Sequence, residues 1–216
     1  MASQSAFCLA SVQGDCAKSN AVRLIWHNKS FMAFDPSQYN PRVSQILALD
    51  GNGERLMPLA LGTCSSTEAR RLLEAGSASQ LFPGARAAEA AFSGLWLYFS
   101  CLDESHSLSQ DIHTKDGSFW HGIMHRQEPD PGNAGYWFHK VGSHPVFPLL
   151  AAAARELLEQ SPGARFKIKE QWDPFAFIDF VEQARRKPGS PDEELALRIQ
   201  RAEWQILFDY CASVPR

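Results

Sequence analysis

A chain of 216 residues has room for one large domain or two small ones, and no stretch between its ends is both long and apolar-poor enough to be a linker. Hydrophobic residues make up 44% and charged residues 21%, the balance of a globular core rather than a disordered chain. A net charge of −3 argues against broad phosphate-backbone binding, and no apolar window reaches the roughly 20 residues of a membrane span. Neither a nucleic-acid nor a membrane partner is expected.

The amino terminus carries no positive charge before its apolar residues, a poor secretory signal, so a cytoplasmic location is expected. Five cysteines (Cys8, Cys16, Cys64, Cys101, Cys211) are an odd number, scattered and without a CxxC. Free thiols are expected rather than a disulfide framework or a cysteine-rich zinc site.

Residues 1–20 are small and polar and are expected to be loosely ordered, ahead of a single mostly helical domain over 21–216. Within Ala21 to Phe34, two short apolar runs flank His27-Asn28-Lys29-Ser30, a plausible hairpin. Asp50-Gly51-Asn52-Gly53 predicts a turn, because Gly and Asn accept positive φ cheaply. Ser65-Ser66-Thr67-Glu68 matches a capping box, opening a helix that Gly76 can close. Ala85 to Leu102 reads as one buried helix, and Ser105 to Asp111 as a hydroxyl-rich loop. Pro145 to Gln160 is a further helix. Asp173-Pro174 starts one through Arg186, and Ser190-Pro191-Asp192-Glu193 starts another to about Ala212. The last should bury Leu195, Ile199, Ala202, Ile206 and Tyr210. The expected fold class is mainly α, an irregular helical bundle with a small β element near the amino terminus.

Six of the seven histidines fall between His106 and His144, among Trp120, Tyr136, Trp137 and several acids. Read as a short helix, Ser118 to Glu128 places Phe119, Trp120, Ile123 and Met124 on one arc, at about 100° per residue. His121, His125 and Glu128 share the adjoining sector. Two imidazoles at i, i+4 stand about 6 Å apart along the axis and can converge on one metal. Glu128, just ahead of Pro129, is a third ligand, a general base or a carboxylate that fixes a histidine tautomer. His106 is the best candidate to complete the set. Gly122 costs about 1 kcal/mol of helix propensity, tolerable if something packs close to its backbone.

Beyond Glu128, Asn133 can cap a short helix that Gly142 closes. That helix carries Tyr136, Trp137, His139 and Lys140, which could line a cleft with Trp120; Arg126 could hold an anionic group of a substrate. A GxSxG elbow, a GxGxxG fingerprint and a Walker loop are all missing from the sequence. The leading expectation is a small metal-dependent enzyme, a hydrolase acting on a small molecule. Its divalent transition metal (Zn, Fe, Mn or Ni) would lower the pKa of a bound water towards about 7. Its metal ligands would be His121, His125 and Glu128, with Glu128 and His106 as acid–base groups. One alternative is a non-catalytic binding protein whose Trp120, Asn133, Tyr136 and His139 cradle a sugar or other polar ligand. Another is a helical interaction module without a small-molecule site.

Overall fold

Proline in the first turn opens five of the ten α-helices in the described residues, usually behind an Asn, Asp or Ser cap. Proline has no N–H to lose there, and its fixed φ already suits a helix. The computed structural model describes residues 34–215. The expectations for residues 1–20, and for the hairpin up to residue 33, lie outside them. In chain order the helices are α1 (Pro41–Leu47), α2 (Thr67–Glu74), α3 (Ala78–Leu81), α4 (Ala88–Tyr98), α5 (Leu102–Ser109), α6 (Lys115–Gln127), α7 (Pro131–Val141), α8 (Phe147–Glu159), α9 (Pro174–Ala184) and α10 (Pro191–Ala212). No strand occurs among the described residues, which are mainly helical.

Several boundaries follow the caps. Asp173 accepts from the N–H groups of Phe175 and Ala176, and Ser190 accepts from that of Glu193. Glu193 reaches back past the cap and accepts from the Gly189 N–H. In α2 the box shifts by one residue. Ser66 rather than Ser65 caps the helix, accepting from Ala69, while Glu68 pairs with Arg71. Gly51, Asn52 and Gly53 all take positive φ, the turn expected there.

The helix expected from Ala85 to Leu102 is two helices. The first ends at Tyr98, Ser100 adopts a φ of 58°, and α5 begins at Leu102. Ser105 to Asp111 is therefore mostly helix, not loop. The reversal sets Cys101 beside the segment before α2, where Ser65 donates to the Phe99 carbonyl at 2.7 Å. Cys64 and Cys101 form a disulfide there, which overturns the expectation of free thiols for this pair; Cys211 is free and buried.

The core is built on α4, α6 and α10. Helices α4 and α6 are enclosed over most of their length. Trp204 of α10 donates to the Gly94 carbonyl at 2.7 Å, and Trp120 of α6 lies over the same glycine. A Cβ at Gly94 would stand 2.5 Å from the Trp120 ring, so only glycine allows this approach. Of the residues expected to be buried on α10, Leu195, Ile199 and Ala202 are; Ile206 and Tyr210 are half-buried, and Trp204, Leu207 and Phe208 take the inner face. No helix of the described residues is long and apolar enough to cross a membrane.

Candidate metal centre

Three helices converge on the histidines. Small residues let α5 lie close on α4: the Ser93 hydroxyl bonds the Ser105 carbonyl at 3.1 Å. That contact carries the neighbouring His106 inward. Thr114 caps α6 by accepting from Gly117, and α6 then presents His121 and His125 one turn apart. Helix α7 crosses α6 where Gly122 faces the Phe138 ring; a Cβ there would meet that ring at 2.9 Å. The close packing that justifies Gly122 comes from a neighbouring helix.

His106, His121 and His125 form one group, each offering a ring nitrogen, with these nitrogens within 4.8 Å of one another. Ring centroids are 4.7 Å apart for His106–His121, 4.7 Å for His121–His125 and 5.5 Å for His106–His125. His121 and His125 are buried and His106 is half-buried. A tetrahedral site with metal–nitrogen bonds of about 2.0–2.1 Å would need nitrogens about 3.4 Å apart.

The outer contacts decide which nitrogens are free. Ser109 lies 2.8 Å from His121 Nδ1, and its hydroxyl donates to the Ser105 carbonyl at 2.7 Å. A hydroxyl has one proton; when it serves the Ser105 carbonyl, His121 Nδ1–H is the donor to Ser109 and Nε2 keeps its lone pair. His125 Nδ1 likewise stands 2.8 Å from Glu128 Oε2, and a carboxylate has no proton to donate, so it accepts from Nδ1–H. Both histidines on α6 are thus held with Nε2 available, the arrangement that orients metal-ligating imidazoles. Burial, reinforced by His125, His106 and Lys140, pushes the His121 pKa down to about 3. The ring is neutral at any ordinary pH, as a metal ligand must be.

The other site candidates are dispersed. Glu128 is exposed and bonds His125, and it is His106 that groups with His121 and His125. Trp120 is fully buried against Gly94, in the core and not in a cleft. Arg126 is fully buried and paired with Glu203, because α6 is covered on that side too. Asn133 is not the cap of α7; Asp130 is, and Asn133 donates to it from both backbone and side chain. His139 is exposed and lies on Phe175, and His144 is tied to Asp116 at 2.9 Å. Tyr136 is exposed beside Trp137.

Two residues outside the expected set belong to the site. Ser109 escaped because its helix was read as a loop; as a helix, the run would have placed it one turn after His106. Trp137, expected to line a cleft, has its ring centroid 4.0 Å from that of His121 and covers it from α7, with Lys140 Nζ 4.1 Å from the indole centroid. The chain matches no known protein family, no curated protein and no solved structure.

Proposed function

We propose that His106, His121 and His125 bind a divalent transition metal and that the protein is a metal-dependent enzyme, hydrolytic in class. The observation that carries this reading is the convergence of three imidazoles from two helices, two of them with Nδ1 already engaged. Buried imidazoles gathered without a metal would leave lone pairs facing one another, a costly arrangement in a core. Three neutral nitrogen ligands leave a position for water, and a metal held this way supplies a hydroxide at neutral pH by lowering the pKa of that water towards about 7. His106, the half-buried member, lies on the side from which a small molecule would enter.

The test is elemental analysis of untagged protein purified without chelator, beside His106→Ala and His121→Ala/His125→Ala. Near-stoichiometric metal in the wild type, lost from the double variant and weakened in the single one, supports the reading. Wild type that stays empty after incubation with Zn²⁺, Fe²⁺, Mn²⁺ and Ni²⁺ ends it.

A further inference from the structure

The cation expected to hold a substrate anion, Arg126, is taken by Glu203. A different one stands at the histidines. Lys140 Nζ sits 4.1 Å over the Trp137 ring and 4.7 Å over that of Tyr136, while Trp137 lies 4.0 Å from His121. Lys140 is exposed, and no carboxylate among the described residues lies within ion-pair distance of it. Glu128 is engaged with His125, and Asp130 with Asn133.

We infer that Lys140 is the substrate-orienting cation of this site and that the substrate is an anion, carrying a carboxylate or phosphoryl group apart from the bond that reacts. The inference rests on the metal reading. Three neutral imidazoles do nothing to offset a divalent cation, and a lysine over the indole that covers His121 would weaken metal binding by like-charge repulsion. A lysine held there by two aromatic faces is pre-positioned rather than free in solvent. That placement helps only when a negative group arrives, and it then sets the orientation of the molecule against the metal.

The experiment compares bifunctional and monofunctional anions on Zn²⁺-loaded protein by calorimetry, with zinc content measured on each sample. Butyrate can reach the metal alone; succinate and 3-phosphonopropionate can also reach Lys140. In wild type the bifunctional probes should bind about tenfold tighter than butyrate, the usual strength of a charge-assisted contact. Lys140→Met should remove that advantage and leave butyrate unchanged, and Lys140→Arg should keep it. The better of the two bifunctional probes identifies the oxyanion. Zinc-loaded protein that shows no preference, or a preference that survives Lys140→Met, overturns the inference and leaves the metal reading standing. Protein that holds none of Zn²⁺, Fe²⁺, Mn²⁺ and Ni²⁺ overturns both.

Discussion

The Ser109 hydroxyl stands 2.8 Å from His121 Nδ1 and 2.7 Å from the Ser105 carbonyl one turn back along its own helix, placed to accept from the ring while donating to the carbonyl. A side chain on α5 thereby sets the tautomer of a ring on α6. Ser109 and His121 are both buried, so the bond is shielded from water and from competing donors. Ser109→Ala should leave the fold intact, since alanine favours the helix and removes only a side-chain contact. Metal affinity should nevertheless fall about 10- to 100-fold, the usual effect of losing an outer partner of a ligating histidine. A competition titration against a chromophoric chelator measures this. An unchanged affinity would mean that His121 Nε2 is not a ligand.

Glu128 separates three roles through two substitutions. As the acceptor for His125 Nδ1–H, it can be replaced by glutamine, whose amide oxygen still accepts. Glu128→Gln should therefore keep metal affinity within about threefold, and Glu128→Ala should weaken it about tenfold. Equal and severe losses from both variants would instead make Glu128 a ligand. Full metal content with turnover lowered about 10²-fold or more in the glutamine variant would make it a general base. The readouts are metal occupancy at a fixed free-metal concentration and, once a substrate is in hand, turnover.

The metal-free protein should be acid-sensitive in a window set by His121. Its pKa falls from 6.5 in an unfolded chain to about 3 in the fold, chiefly through burial. Between those values the unfolded chain binds a proton that the folded chain does not. Stability is therefore complete above pH 6.5 and declines as pH falls towards 3. The lowered carboxylates Asp35, Glu68, Asp130 and Asp173 act only below 4.5, and the raised Glu203 acts with the opposite sign, so a loss of stability between pH 6.5 and 4.5 belongs to the histidine. Thermal midpoints of the chelated protein should drop from pH 6.5 to 4.5, and the slope should flatten in His121→Asn. A flat wild-type profile would show that water reaches this ring.

Much of the helical framework was legible because its signals are local. Asp173-Pro174 and Ser190-Pro191 carry cap and proline together, and Gly142 ends α7 at a φ of 60°. The break between α4 and α5 left no such mark. It turns on Ser100 at a φ of 58°, a conformation that a serine takes only when its surroundings impose it. Missing that break turned α5 into a loop and hid Ser109. The disulfide joins residues 37 apart and has no local signature. At the site, the i, i+4 spacing of His121 and His125 was readable, whereas the third position depends on how α5 packs. Trp120 and Arg126 were misplaced for one reason. Helix α6 is enclosed on every side, so its polar residues do not mark a water-facing edge.

Arg126 and Glu203 offer the sharpest separation of structure from chemistry. Both side chains are fully buried, and the pair links α6 to α10. The guanidinium lies 4.5 Å over the Phe177 ring, and Arg185 donates to the Arg126 carbonyl at 2.8 Å. Burial pushes the Glu203 carboxyl up against the pull of Arg126, so removing the arginine leaves a carboxyl that must protonate or destabilise the core. Arg126→Met should cost about 3–5 kcal/mol, the range for an orphaned buried charge. Glu203→Met should cost a similar amount, and the double variant should recover most of the loss, because two apolar side chains replace a pair that gains little net stability. Urea unfolding of the four proteins gives the coupling directly. Strict additivity of the two losses would mean that the charges do not act as a pair. The double variant, once refolded, should hold metal as wild type does, since Arg126 contacts Glu203 and Phe177 and none of the three histidines. Loss of metal from a stably folded double variant would show that the Arg126–Glu203 pair positions the histidines of α6.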